Sequence, residues 1–218
     1  IECQGKYMDT RQETIIMIIQ KKIPTSGANS QFIMTRNNYT IFGIPDNIKN
    51  INLLYNGSKS LSNLGFKVNV GNVVWNQCKD ILTDDAKKTR LIYNSDISYN
   101  RLIDPPKKYN NEQKKNYINK PGQINPLLVI NRGYGVGDYH FGYCLLEGGF
   151  EYLIENHLIC INYTKTINDD QLIKKYKQII KSLENSKTKE FIKLYFGNSA
   201  INTAELNHIL PIYENITD

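Results

Sequence analysis

LLVINRGYGVGDYHFGYCLL, Leu127 to Leu146, is the stretch from which the rest of the chain is read. An apolar run, Leu127 to Ile130, delivers Asn131 and Arg132 into the glycine-rich segment GYGVG, and Tyr139, His140 and Phe141 begin a second apolar run. Glycines admit positive φ and let a chain reverse closely, so the pattern predicts two antiparallel strands joined by a tight turn. A phosphate-cradling loop would need Gly-Lys-Ser/Thr and a helix start after the glycines, and neither follows. The hairpin either carries a plain surface Arg or presents Asn131, Arg132, Tyr134, Tyr139 and His140 to a polar surface.

Working outward, further strands are expected at Phe66 to Trp75, Arg90 to Tyr93, Pro126 to Asn131, Phe141 to Leu146 and His157 to Asn162, separated by Asn-, Gly-, Pro- and Lys-rich connections. Toward the N-terminus, TIIMIIQKK (Thr14 to Lys22) reads as a buried strand, and FIMTR and NYTIFG as short ones. After Pro45 the pattern turns helical: Ile48, Ile51, Leu54 and Tyr55 share a face, with Asp46 as expected N-cap, and a second short helix is expected from Ser60 to Leu64, stopped by Gly65. NDDQLIKKYKQIIKSLENS predicts a helix capped by Asn168 or Asp169, with Leu172, Tyr176, Ile179, Ile180 and Leu183 inward. TKEFIKLYFGNS predicts another helix, stopped by Gly197. The expected fold is α/β of the α+β kind: a β-rich unit over 45–218 closed by flanking helices, preceded by strands over 1–44. The stretch from Tyr99 to Gln123 has little periodicity and reads as a long loop, functional or mobile.

Composition excludes several classes. The chain has 218 residues, 40% of them hydrophobic, with 15 Tyr and 7 Phe, which is a folding and not a disordered composition. No apolar run approaches the ~20 residues of a membrane span. The sequence starts at Ile1 without a basic-then-apolar leader, so the expectation is a piece of a longer protein with no secretion signal, located in the cytoplasm of a host cell or in a viral factory. Cys3, Cys78, Cys144 and Cys160 lie far apart without zinc spacing and read as reduced thiols. The net charge of +6 favours a polyanionic partner modestly. Basic clusters at Lys87 to Arg90, Lys107 and Lys114 are interleaved with Tyr93, Tyr99, Tyr109 and Tyr117, either a mixture that grips sugar-phosphate and stacks on bases or a solvated loop.

The chain's one Trp sits in VGNVVWNQCKDILTDD, Val70 to Asp85, where a strand-like run ends in Asn76, Gln77 and Lys79. A buried strand end has no use for such side chains, whereas amides pair bidentately with adenine and Lys with guanine or phosphate. Trp75 is either the anchor of that rim or a core residue. Arg90, Asn94, Ser95 and Asp96 in TRLIYNSDI form a second candidate edge, and the hairpin tip a third. Catalytic machinery is not evident: His140, His157 and His208 lack metal-ligand spacing or a nucleophile partner and read as structural, and Asp84-Asp85 and Asp169-Asp170 read as turn or helix-start acids.

The succession GFKVNVGNVVWNQCKDILTDD, TRLIYNSDI, PLLVINRGYGVGDYHFGYCL, YLIENHLICI and FGNSAINTAELNHILPIY resembles the target-recognition domain of adenine-specific amino-methyltransferases, enzymes of restriction-modification systems that large DNA viruses also carry. DTRQETIIMIIQKK resembles the last strands of their catalytic domain, so the resemblance spans the chain, with 1–44 as that remnant and 45–218 as the recognition unit. It implies sequence-specific binding of double-stranded DNA by Trp75, Asn76, Gln77, Lys79, Arg90, Asn94, Ser95, Asp96, Asn131, Arg132, Tyr134, Tyr139 and His140. The family's Asn-Pro-Pro-Tyr-type motif and its cofactor-binding glycine loop do not occur here; Pro105-Pro106 follows an Asp and precedes a Lys. The resemblance therefore leaves base flipping, methyl transfer and S-adenosylmethionine to a catalytic domain in a longer parent. The alternatives are the specificity part of a restriction endonuclease, or a non-enzymatic viral structural or interaction protein on the same fold.

Overall fold

The structure, a computed structural model, describes residues 21, 31–132, 142–196 and 201–214. The expected strand over Thr14 to Lys22, apart from Lys21, the hairpin tip with Tyr134, Tyr139 and His140, and the stop at Gly197 lie outside the described residues. Strands β1 (Ile33–Arg36) and β2 (Tyr39–Phe42) precede helix α1 (Pro45–Leu54). There follow β3 (Ser58–Lys59), β4 (Phe66–Val70), β5 (Leu82–Thr83), β6 (Thr89–Ile92), β7 (Ile97–Ser98) and β8 (Arg101–Leu102). Next come β9 (Tyr117–Ile118), β10 (Leu127–Asn131), β11 (Tyr143–Leu146), β12 (Tyr152–Ile154) and β13 (Leu158–Tyr163). Helices α2 (Asp169–Glu184), α3 (Ser186–Tyr195) and α4 (Thr203–His208) and strand β14 (Ile212–Tyr213) close the chain. The fold is α+β, as the sequence predicts.

Two four-stranded sheets, ordered β11-β10-β13-β4 and β12-β6-β9-β5, carry the architecture. The predicted hairpin is the antiparallel pair β10/β11, in register from Leu127↔Leu146 to Ile130↔Tyr143. Side chains alternate across each strand and so sort into layers. Leu128, Ile130, Ile159 and Ile161 enter a large core with Tyr55, which follows α1, and with Tyr176, Phe191 and Leu206 from the later helices. Their neighbours Leu127, Val129, Leu158 and Cys160 meet Ile92, Tyr152 and Ile154 between the sheets. On the far side of the second sheet, Val73, Leu91, Tyr93, Ile118 and Leu153 form a small cluster, fringed by half-buried Trp75 and Tyr109. The free thiols Cys144 and Cys160 are buried, which pushes their pKa values up to about 11 and about 12.

VNVGNVVW is not one continuous strand. β4 ends at Val70, and the chain crosses to the second sheet where β12 crosses back toward β13. Gly71 N–H donates to Leu158 O (2.9 Å), Val73 N–H to Ile154 O (3.2 Å), and Asn156 N–H to Val73 O (2.9 Å). A Cβ on Gly71 would stand 2.2 Å from the Glu155 carbonyl oxygen, so this approach of two backbones admits glycine alone.

At the helices, Asn168 caps α2 by accepting from Gln171 N–H at 2.9 Å, as predicted. Asp46 is not the cap of α1: Ile44 holds that position, Pro45 opens the helix, and Asp46 lies in the first turn, where its charge favours the dipole. The expected helix from Ser60 to Leu64 is a turn, closed by Leu64 N–H to Ser60 O (3.1 Å) and ended by Gly65 at φ 83°. The β1/β2 hairpin rests on the helix-side core through Ile41, with the Arg36 guanidinium 3.9 Å from the Tyr55 ring centre and Asn37 Nδ2 donating to His208 O at 2.7 Å. Among the described residues no helix is long and apolar enough to cross a membrane.

Candidate functional site

The paired crossovers build a corner on the far face of the second sheet. Between the apolar strands β12 and β13 stands the polar interruption Glu155, Asn156 and His157. Glu155 is only 2% exposed; one carboxylate oxygen lies 2.7 Å from His157 Nδ1 and the other accepts the His157 backbone N–H at 3.0 Å. The acid thus fixes the orientation of an imidazole that is itself 62% exposed.

Opposite stands the end of β6. Tyr93 leads into a tight helical turn, Asn94–Asp96, locked by buried Asp96, which accepts from Tyr93 N–H (2.9 Å) and from Tyr109 Oη (3.1 Å). The stretch expected to be a long loop contributes β8 and β9 and lays Tyr109 and Lys114 over this turn. The Lys114 ammonium sits 4.1 Å from both the Tyr93 and the Tyr109 ring centres, a cation held on two aromatic faces. Burial lowers its pKa, while Glu155 and Asp96 act to raise it; burial likewise raises those of Tyr93 and Tyr109.

These groups surround a pocket of about 260 Å³. Its lining comes from Trp75, the Tyr93–Ser95 turn, Lys114, Arg132, Glu155 and His157. Asn94 lines the pocket, but its Oδ1 is turned inward, buried without a hydrogen-bond partner.

The sequence candidates divide. Trp75, Asn94, Ser95 and Arg132, from distant segments, meet at the pocket. Trp75 is half-buried, packed against the small cluster and lining the pocket. Asn76 and Gln77 are exposed beside it, and Lys79 donates to Gln113 Oε1 at 2.8 Å with its ammonium 5.8 Å from the indole centre. Asn131 is half-buried at the end of β10, its amide against Gly142, and does not line the pocket.

Arg90 and Asp96 do not form the open edge expected of them. β6 is an inner strand buried along its length, so Arg90 is 8% exposed, its guanidinium bound to Asp104 Oδ1 (3.3 Å) and Ile103 O. Asp96 is fully buried and committed to its own turn. The second edge reduces to Asn94 and Ser95. Tyr93 and Lys114 belonged to the basic and Tyr mixture that the sequence offers, whereas sequence reasoning missed Glu155 and His157 as site residues; the available signal was the polar triplet ENH between the apolar runs YLI and LICI. Among the described residues no cluster of three or more His, Cys, Asp or Glu could hold a metal. No family model matches the chain, and no curated protein or solved structure matches it.

Proposed function

We propose that this chain binds double-stranded DNA and reads its sequence with the rim around Trp75, as the recognition part of an adenine-specific DNA methyltransferase of restriction-modification type. The observation that carries the reading is the convergence of Trp75, Asn94, Ser95 and Arg132 on one pocketed rim, flanked by the exposed amides of Asn76 and Gln77 and by Lys79. Phosphate contacts from Arg and Lys set register, and amide and guanidinium groups beside them reach base edges. The net charge of +6 is of the sign such a partner requires. In such a parent the catalytic domain would be the intramolecular partner, holding S-adenosylmethionine and the target adenine. The assignment to methyltransferases rests on the order of sequence motifs, and the DNA-binding surface rests on the rim.

The test is fluorescence anisotropy of the 218-residue chain with duplexes selected from a randomised pool, across a salt series. The expected result is a log-log slope of about −0.9 per phosphate contact, with a selected duplex preferred over a scrambled one. Affinity that ignores salt, or no duplex affinity, would remove the DNA reading and favour an interaction protein on this fold.

A further inference from the structure

Two hairpins of this chain turn on a pair of residues with positive φ. β1 and β2 are joined by Asn37 (φ 47°) and Asn38 (φ 64°), and β7 and β8 by Tyr99 (φ 48°) and Asn100 (φ 59°). Such a turn matches the twist of its strands but holds both residues in the left-handed region, which suits glycine and asparagine and strains a bulky side chain. The first hairpin meets that demand with two asparagines. The second sets a tyrosine at the same position, and the side chain gains no burial in return, since Tyr99 is 97% exposed. A residue that is both strained and fully exposed is kept for something other than the fold.

The hairpin that carries this ring is firmly held. Ile97 and Leu102, paired across it, pack against the core between the sheets, and Ile103 N–H donates to Asp96 O at 2.7 Å. At the tip, Asn100 Oδ1 accepts the Tyr143 N–H at 3.3 Å. The hairpin springs from the Asn94–Asp96 turn, whose first two residues line the pocket. Its tip rests beside the end of the β10/β11 pair, where Asn131 N–H donates to Gly142 O at 2.7 Å and Arg132 follows. Tyr99 is therefore displayed on a fixed arm at the edge of the proposed reading surface, with exposed Arg101 two residues on. None of the other exposed large apolar side chains among the described residues lies on β7, β8, β10 or β11, so no apolar patch of the kind a protein partner or a bilayer covers surrounds it there. A single flat ring beside a guanidinium suits a nucleobase, which stacks on the aromatic face while its phosphate pairs with the cation.

We propose that Tyr99 is a stacking wedge: on bound DNA its ring inserts at a base step and stacks on the base it uncovers, with Arg101 on a neighbouring phosphate. The proposal rests on the reading of this chain as a DNA-binding protein and adds to it a contact outside the pocket. Opening a step costs least where the stack is already broken, so the wedge favours a duplex with an unpaired base over a fully paired one.

The test compares the 218-residue chain with its Tyr99→Ala, Tyr99→Phe and Tyr99→Gly variants. Anisotropy is measured across a salt series on a selected duplex and on the same duplex with one unpaired base, with urea unfolding in parallel. The unaltered chain is expected to bind the duplex with the unpaired base several-fold more tightly than the paired one. Tyr99→Ala weakens binding by about ten-fold, the scale of one base stacked on an aromatic ring, and removes that preference without changing the salt slope. Tyr99→Phe keeps both affinity and preference. Tyr99→Gly loses affinity as Tyr99→Ala does, yet unfolds at a higher urea concentration than Tyr99→Ala, because glycine escapes the left-handed strain that alanine retains. Unchanged duplex affinity in Tyr99→Ala would overturn the wedge and leave the DNA reading standing. A loss in Tyr99→Phe equal to that in Tyr99→Ala would assign the contact to the hydroxyl and overturn stacking. An unaltered chain that binds neither duplex would overturn the DNA reading and the wedge with it.

Discussion

The helix-covered face of the first sheet and the open face of the second are built from the same alternating strands and finish differently. On the helix side buried phenols donate to carbonyl oxygens, Tyr55 Oη to Ile209 O (2.8 Å), Tyr176 Oη to Ile161 O (2.8 Å) and Tyr213 Oη to Leu54 O (2.6 Å), as Tyr93 Oη does to Lys115 O (2.9 Å) on the far side, and each side leaves a buried amide oxygen unmatched, Asn207 Oδ1 and Asn94 Oδ1. The helix-side apolar surface is deep, and Leu128, Phe191 and Leu206 have no measurable exposure. On the far side the core shrinks to a small cluster, Trp75 and Tyr109 are half in water and Lys114 rests on rings. Deep burial secures a fold, whereas a cation and half-buried aromatics around a pocket leave interaction energy for a ligand. Stability should therefore be concentrated on the first face and binding on the second.

The comparison breaks most visibly at Phe191, which meets Tyr55, Tyr195 and Phe196 within the helix-side core. Phe191→Ala is expected to cost about 3–5 kcal/mol in urea unfolding, with little change in DNA affinity of the protein that remains folded. Gly71→Ala joins the two regions: its methyl group meets the Glu155 carbonyl, and forcing the crossovers apart is expected to cost about 1–3 kcal/mol. The same variant should shift Trp75 emission, because Val73 and Glu155 pair across that crossing. A silent emission spectrum would separate the corner from the fold that is argued to position it. The smallest effect is at Asn168, where removing the cap with Asn168→Ala should cost about 1 kcal/mol and leave DNA binding untouched.

Much of the fold was legible as periodicity. Leu127 to Asn131 and Leu158 to Tyr163 are largely apolar runs, and the α2 face repeats as a helix must. Tyr152–Ile154 was not legible, because three residues give no period and its strand status comes from parallel pairing with β6. Nor was the break at Gly71, since the reason for glycine there is the Glu155 backbone, remote in sequence. In the site, Trp75 and Arg132 stood out by type and by position at strand ends. Arg90 carried the same chemical signal and misled, because burial of a central strand is decided by its neighbours and not by its own composition. Glu155 and His157 were hidden for the opposite reason: a short polar interruption between strands reads as a turn until the other wall of the pocket is in place.

The central claim is that DNA is bound at the far-face corner, and Arg132 tests it most directly. This exposed residue follows the hairpin strand β10 and lines the pocket, so it contacts bound DNA if the corner is the reading surface. The measurement is binding of Arg132→Ala to selected and scrambled duplexes across a salt series. A phosphate contact predicts weaker binding to every duplex and a salt slope reduced by about one, and a base contact predicts a loss of ~1–3 kcal/mol on the selected duplex with relaxed preference at one position. Unchanged affinity and slope on every duplex would contradict the placement of DNA at this corner.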